Sequence, residues 1–151
     1  MRLALYQPEI AHNVGAMIRS AACFDFGIDI IQPCGFPFGK KQLKHSSLDY
    51  LDKVEILFHD DFSDFQKAYH PGHRLILLTT KTDACYTQIP FFSNDVFILG
   101  RESSGVDPNV CAAVDQHVTI PMSPQGRSLN VATAGAILMA EFRRRFPMRE
   151  N

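Results

Sequence analysis

Short apolar segments alternate along this chain with segments that have helical spacing. Six apolar runs are predicted to be strands, and most of them are continuous rather than alternating, as in a sheet covered on both faces. They span residues 3–6, 28–31, 54–58, 75–78, 96–99 and 118–120. Because helical segments separate the strands, the pattern predicts an α/β fold with a mainly parallel sheet, whose ligands gather beyond the carboxyl ends of the strands.

The predicted helices begin at residues whose side chains can cap them. The proposed caps are Asn13 for a helix ending near Gly27, Asp60 or Asp61 for residues 62–69, Asp107 for a helix with Pro108 at its first position, and Ser128 for the last helix. The last helix is predicted over residues 129–146, where Pro147 ends it. Its alanines and Gly135 leave a bare surface that another backbone or a ligand can approach closely.

Composition predicts one domain and argues against a chain-wide attraction to nucleic acid. The 151 residues, 46% of them hydrophobic, suffice for one core, so we expect a single domain over 1–151 with no separate RNA-binding domain. The formal net charge of −1 means that RNA or DNA could be bound only through local patches. Two basic patches exist, and each taken alone is better explained as solvated surface: Lys40, Lys41 and Lys44, and Arg143, Arg144 and Arg145.

Cysteine spacing predicts a protein of a reducing compartment, the cytoplasm. Cys23, Cys34, Cys85 and Cys111 form no C-x-x-C pair and have mostly apolar neighbours, which favours buried free thiols over disulfides or metal ligands. No bound metal is expected. The chain enters a strand-like run directly, so no secretion signal is expected, and no apolar run reaches about 18 residues, so neither is a membrane span.

The segment from Ile120 to Asn130 is the first of three candidate ligand-binding segments. A strand here leads through a long polar loop into the small-residue helix. Arg127, the Ser128 hydroxyl and free helix amides would come together at one point, which suits a polar or anionic group. An ordinary strand-to-helix connection with a good cap is an equally good interpretation of this segment alone.

The second candidate segment, residues 100–105, is a polar loop bounded by glycines that follows a predicted strand. It can bring backbone groups to a ligand. No Lys-Ser/Thr follows Gly105, so it is not a phosphate-binding P-loop, and it is not a G-x-G-x-x-G dinucleotide motif. A hydrolase nucleophile elbow would need glycine where Arg101 stands, although Ser103 acting with a distant histidine stays open.

The third candidate segment, residues 8–19, follows the first predicted strand. Asn13 is a cap, Gly15 allows close approach, and Arg19 lies on an otherwise apolar helix. An arginine in that position favours an anionic partner. The alternative is a local salt bridge to Glu9 or Asp25.

Together these segments resemble the SPOUT family of RNA methyltransferases. The motifs that carry the resemblance, which covers almost the whole chain, are Asn13-x-Gly15-x-x-x-Arg19, Leu99-Gly100-Arg-Glu102-x-x-Gly105, and Ile120-Pro121-Met122 leading to Ser128-Leu-Asn130. The short length, with Tyr6-Gln-Pro-Glu-Ile10, Leu48-Asp-Tyr50 and Leu78-Thr-Thr-Lys81, is most similar to the TrmL branch. That branch methylates the ribose 2′-hydroxyl of the wobble cytidine or uridine in leucine tRNAs.

The resemblance implies a C-terminal deep trefoil knot in which S-adenosylmethionine binds in a bent shape. It assigns the catalytic position to Arg19 and implies a homodimer in which this arginine approaches the cofactor of the other subunit. Cofactor contacts would fall on Leu78, Gly100, Ile120 and Ser128, largely through backbone groups, and supporting motif positions on Asn13, Glu102, Gly105, Met122 and Asn130. The doubled basic patches of the dimer would bind a tRNA anticodon stem-loop.

Three departures from the TrmL pattern bear on RNA contacts more than on the cofactor pocket. Arg101 stands where proline is common, Ser104 where a basic residue can occur, and Ala132-Thr133 where Ser-Asn is frequent. The leading hypothesis is a tRNA wobble ribose methyltransferase. The alternatives are a 2′-O-methyltransferase for another tRNA or rRNA site, a non-catalytic knotted RNA-binding protein and, last, a hydrolase built on Ser103.

Overall fold

The predicted α/β architecture is confirmed by the computed structural model, which describes residues 1–39 and 48–148. Six strands form one entirely parallel sheet in the order β3-β2-β1-β5-β4-β6. The strands are β1 (Arg2–Tyr6), β2 (Gly27–Ile31), β3 (Ile56–His59), β4 (Arg74–Leu78), β5 (Asp95–Leu99) and β6 (Gln116–Val118). The predicted basic patch at Lys40, Lys41 and Lys44 lies outside the described residues.

Helices cover both faces of the sheet, so alternate side chains of each central strand are buried on opposite sides. In the described residues these are α1 (Ala11–Phe24), α2 (Phe62–Tyr69), α3 (Pro108–Ala113) and α4 (Val131–Arg145), with a 3-10 helix over Leu48–Lys53. Leu3 and Leu5 pack with α1 and α4, whereas Ala4 and Tyr6 pack with α2 and α3. This two-sided burial explains the continuous apolar runs. No helix in the described part of the chain is long and apolar enough to cross a membrane.

The sixth strand ends earlier than the apolar pattern predicts. It covers Gln116–Val118 instead of residues 118–120. Among the described strands it pairs with β4 alone, and Leu78, the last residue of β4, pairs with Val118. Thr119 instead donates its amide to the carbonyl of Ala84, at 2.8 Å, and forms an isolated parallel bridge with Cys85, so Thr119 and Ile120 lie beyond β6.

Two of the predicted helix caps are wrong, and both lie near the candidate site. α1 begins at Ala11 with Ile10 at the cap position, and no side chain caps it, because the buried Asn13 makes contacts with distant segments. α4 begins at Val131, and its cap is Asn130, whose side-chain oxygen accepts hydrogen bonds from the amides of Ala132 and Thr133 at 2.9 and 3.2 Å. Elsewhere Asp61 caps α2, as predicted. Asp107 occupies the predicted position before α3, but its side chain caps no helix amide, because its carboxylate accepts from Arg101 and Tyr6.

Substitution of the two candidate caps of α4 is expected to affect stability unequally. Asn130→Ala should lower the free energy of unfolding by about 1 kcal/mol because two helix amides lose their acceptor. Ser128→Ala should change it by less than about 0.3 kcal/mol, since Ser128 is exposed and lies before the cap. Urea denaturation of the ligand-free protein measures both values, and equal losses would contradict the assignment of the cap to Asn130.

The small residues of α4 are used inside the protomer. A Cβ atom at Gly135 would lie 3.1 Å from Leu99 Cδ1 and 3.3 Å from Leu3 Cδ2, so the helix backbone packs directly on the sheet. Ala134 and Leu138 are buried on the same helix. The four cysteines are free, as predicted, but none is fully buried, and Cys23 is exposed.

Candidate active site

Three adjacent strands end at the same level and open a cavity beyond the sheet. Leu78 pairs with Leu99 on one side and with Val118 on the other, so the loops that follow β4, β5 and β6 start side by side. The cavity has a volume of about 850 Å³. Its walls include all four predicted cofactor positions and all five supporting motif positions: Leu78, Gly100, Ile120, Ser128, Asn13, Glu102, Gly105, Met122 and Asn130.

The loop after β5 closes on itself through its backbone. Arg101 donates its amide to the Gly105 carbonyl at 2.9 Å, and the Gly105 amide returns a bond of 3.2 Å. A Cβ atom on Gly100 would lie 2.7 Å from the Cα of Gly105, and Gly105 has a φ of 71°, which favours glycine. The two glycines that bound the motif are therefore required by this closed shape.

Arg101 attaches this loop to the end of β1. Its guanidinium donates to Gln7 Oε1 at 2.9 Å and to both carboxylate oxygens of Asp107, at 2.9 and 3.0 Å, while lying 4.9 Å from the Tyr6 ring centroid. The Arg101 hydrogen bonds lower the pKa of Asp107 below its usual value. Burial and the 2.6 Å hydrogen bond to Asp107 raise the pKa of Tyr6 to about 12. Sequence reasoning missed this role, because Gln7 and Tyr6 are 94 and 95 positions away from Arg101 and the nearby Asp107 was interpreted only as a helix cap.

A chain of hydrogen bonds connects the three sequence motifs. The Glu102 carboxylate accepts from the amides of Glu9 and Ile10, at 2.9 and 3.3 Å, and from Asn13 Nδ2 at 3.1 Å. Asn130 Nδ2 in turn donates to Asn13 Oδ1 at 3.0 Å. Glu102 thus supplies hydrogen-bond acceptors to amides before α1 that no local side chain caps. The same hydrogen bonds hold together the start of α1, the loop after β5 and the start of α4.

The partner of Ser103 is a carboxylate. Its hydroxyl and its amide donate to the two carboxylate oxygens of Glu9, at 2.8 and 2.9 Å. These hydrogen bonds lower the pKa of Glu9. Among the described residues no histidine hydrogen-bonds to Ser103, so the arrangement does not support the hydrolase hypothesis.

Arg19 does not line the cavity of its own protomer. It is exposed on α1, with its guanidinium carbon 5.5 Å from the Tyr50 ring centroid. It follows Asn13 by six residues, which places it about 9 Å further along the helix and roughly two-thirds of a turn around it. Within the described residues it forms no salt bridge: Glu9 binds Ser103, and Asp25 pairs with Arg143 at 3.3 Å.

The three arginines of α4, predicted to bind RNA, differ in side-chain exposure and in their hydrogen bonds within the protomer. Arg143 donates to the Phe24 and Asp25 carbonyls at the end of α1, and Arg145 donates to the Thr87 carbonyl and to Glu141. Both side chains are mostly buried, whereas the Arg144 side chain is 70% exposed while its guanidinium pairs with Glu141 at 2.7 Å.

The Glu141 carboxylate should make stability depend on acidic pH. Its hydrogen bonds with Arg144, and then with Arg145, lower its pKa from an ordinary 4.5 to about 2. Because the pKa is lower in the folded state, the stabilisation is present above pH 4.5 and is lost as the pH falls toward 2. Glu141→Gln should therefore flatten the decline of unfolding free energy between these values in denaturation measurements. An unchanged slope would contradict this prediction.

The parallel sheet, the cavity at its carboxyl edge and the motifs around that cavity are features of a class of RNA methyltransferases. The profile of the SpoU rRNA Methylase family matches residues 1–140, and the chain belongs to this family. It is similar to the tRNA (cytidine(34)-2′-O)-methyltransferase of Beijerinckia indica subsp. indica, with 43% identity over 140 residues that cover 92% of this chain and 88% of the relative.

Solved structures share the fold. One, which bears the description "Structural insights into the 2-OH methylation of C/U34 on tRNA", superposes with a TM-score of 0.91 at 33% identity. The superposition covers 97% of each chain. The SpoU methyltransferase AviRb from Streptomyces viridochromogenes, in complex with AdoMet, has a TM-score of 0.87 at 21% identity. The alignment covers 99% of this chain and 59% of AviRb, so this second likeness concerns the fold alone.

Proposed function

We propose that this protein transfers a methyl group from S-adenosylmethionine to the ribose 2′-hydroxyl of nucleotide 34 in tRNA, with leucine isoacceptors as its substrates. Two observations together support this proposal. The chain matches tRNA (cytidine(34)-2′-O)-methyltransferases over almost its full length, and all its predicted cofactor positions line one cavity. The proposal needs both the similarity and the cavity, because one fold hosts many functions and one cavity can hold many ligands.

The residues around the cavity fit the proposed cofactor. A volume of about 850 Å³ suits a ligand of this size. Backbone groups at Leu78, Gly100 and Ile120 can read the edge of an adenine ring, and the Ile120 and Met122 side chains can cover its faces. Ser128, in the loop before α4, adds a hydroxyl to the cavity lining. When bound, S-adenosylmethionine supplies a methyl group already activated by its sulfonium.

Arg19 is proposed to act on the ribose rather than on the cofactor. Because the methyl group is activated, the protein must mainly align the 2′-oxygen with it; the C–S bond breaks as the O–C bond forms, S-adenosylhomocysteine leaves, and the hydroxyl proton passes to water. A guanidinium stays protonated at neutral pH and is a poor base. It is well suited to orient the adjacent phosphate and to stabilise the negative charge that develops on the oxygen.

The position of Arg19 supports a homodimeric active site. Asn13 lines the cavity of its own protomer, whereas Arg19 projects from another side of the same helix. A cavity that lacks the catalytic residue in one subunit can gain it from a second copy. We also propose the deep trefoil knot, supported by the family membership and by the close packing of α4 on β1 and β5 after the chain has passed β6 at the sheet edge.

The anticodon stem-loop is proposed to bind along the basic residues of both subunits. Of the described candidates, Arg144 offers the most exposed side chain, while Arg143 and Arg145 mainly hold α4 in place. Lys40, Lys41 and Lys44 remain part of the proposal. A cytoplasmic location follows from the tRNA substrate.

The decisive experiment is to incubate the purified protein with S-adenosylmethionine and unmodified leucine tRNA, digest the RNA and analyse nucleosides and oligonucleotides by mass spectrometry. We expect 2′-O-methylated cytidine or uridine at position 34. Methylation at another position of tRNA or on rRNA would replace the proposed substrate. Cofactor binding without methylation of any of these RNAs would favour a non-catalytic RNA-binding protein.

A further inference from the structure

We infer that Lys81 binds the carboxylate of the methionine part of S-adenosylmethionine. This inference rests on the proposed function, since it names a contact within the same cavity. Lys81 follows β4 in the loop that begins at Thr79, and its amide donates to the Thr79 hydroxyl at 3.2 Å. This short turn keeps Lys81 against the cavity, where it forms part of the wall.

The other charged groups around the cavity already have partners. Of the residues that the structure describes, three charged ones line it: Lys81, Arg101 and Glu102. The Arg101 guanidinium is occupied by Gln7 and Asp107, and the Glu102 carboxylate accepts from Asn13 and two backbone amides. Of these three, counting partners among residues 1–39 and 48–148, only Lys81 has a side chain without a hydrogen bond or salt bridge.

Charge balance assigns the partner of this lysine. S-adenosylmethionine at neutral pH carries a sulfonium, an ammonium and a carboxylate, and is therefore a cation overall. Lys81 is exposed at the cavity wall, and its positive charge disfavours such a ligand unless the ammonium meets the ligand's one anionic group. A lysine that does so offers a compact charge with three rotatable donors. A contact with an RNA phosphate would offset this charge only while RNA is bound, so the cofactor would still meet the repulsion in the RNA-free protein.

Decarboxylated S-adenosylmethionine is the matched probe, because it lacks only the carboxylate. Isothermal titration should show that Lys81→Met weakens S-adenosylmethionine binding about tenfold, the contribution expected of one charged hydrogen bond from an exposed side chain. The same substitution should leave binding of the decarboxylated analogue unchanged or make it tighter, because a repulsive charge has been removed. Lys81→Arg should retain the preference for the carboxylated ligand. Lys67→Met, the same change on α2, should alter neither affinity.

The inference predicts that Lys81→Met changes the affinities for the two ligands differently, and other results would overturn it. Without a carboxylate contact, Lys81→Met would leave binding of both cationic ligands unchanged or tighten it; equal weakening of both would indicate a structural role. In either case Lys81 would not be the carboxylate partner, and a raised KM for tRNA would then point to an RNA phosphate. These outcomes leave the proposed function intact. Failure of the unmodified protein to bind S-adenosylmethionine at all would overturn both.

Discussion

Arg19→Ala is expected to slow methyl transfer to tRNA by at least about 100-fold while leaving S-adenosylmethionine affinity within about twofold. The loss follows from removing a charged donor that stabilises a developing oxyanion, an effect of about 100- to 1,000-fold for comparable donors. Binding should persist because Arg19 does not line the cavity of its own protomer. The fold should persist because the core contacts of α1 come from Val14, Met17 and Ile18, not from the exposed Arg19. Single-turnover rates and calorimetry separate the two quantities.

Arg19→Lys separates charge from geometry. If the guanidinium must engage two oxygens at once, a lysine that keeps the charge should still lose most of the rate. Nearly full turnover of Arg19→Lys would show that bidentate geometry is not needed and would overturn the proposed role.

Mixing two inactive variants tests whether Arg19 acts across the dimer. A hybrid of an Arg19→Ala subunit and a subunit with a defective cofactor cavity contains one doubly defective site and one intact site. With random pairing, half of the dimers are hybrids, so about one quarter of the unmodified activity should return. If Arg19 served its own subunit, no activity would return. Active protein found only as monomers on dilution in the ultracentrifuge would also contradict the dimer.

Gly100→Ala should strongly weaken cofactor binding and provide the second subunit for that mixture. The new Cβ would lie 2.7 Å from two backbone atoms of Gly105, and no side-chain rotation can relieve a clash with backbone. The loop after β5 would have to open, which separates the Arg101 and Gly105 amides from their partners and displaces Glu102. We expect the affinity for S-adenosylmethionine, measured by calorimetry, to fall at least about 100-fold.

Gly72→Ala is the matched control for this substitution. A Cβ there meets nothing nearer than the Tyr69 carbonyl at 4.0 Å, so affinity should not change. Circular dichroism should show that both variants keep the helices. An intact affinity in Gly100→Ala would mean that the loop after β5 does not shape the cofactor site.

The cavity could be anticipated from the sequence because its position is a consequence of local patterns. Apolar runs locate Leu78 and Leu99 at strand ends, and parallel strands bring their carboxyl ends to one edge of the sheet. The glycines at 100 and 105 marked the loop between them as one of special geometry. Two strand positions were wrong: β3 begins at Ile56 instead of residue 54, and β6 lies two residues earlier than predicted. The apolar character of Ile120 does not reveal that the pairing with β4 ends at Val118.

The role of Arg101 could not be anticipated in the same way. Sequence comparison with the TrmL pattern suggested that this departure from proline concerned RNA. Its guanidinium instead binds Asp107, six residues further along the chain, and Gln7, which the pairing of β1 with β5 brings to it. A side chain of this length can reach many partners, and local spacing does not select among them.

The sequence by itself determined the α/β class, the order of its strands and helices along the chain and the segments that line the cavity, because periodicity and turn residues act over a few positions. Tertiary structure decided how individual polar side chains are used. Asn13 can cap a helix locally, yet it bonds Glu102 and Asn130 once the sheet has brought those distant residues within 3.1 Å. Likewise, α1 presents Asn13 to the cavity and Arg19 to another side, since the packing of the whole helix against the core fixes its rotation.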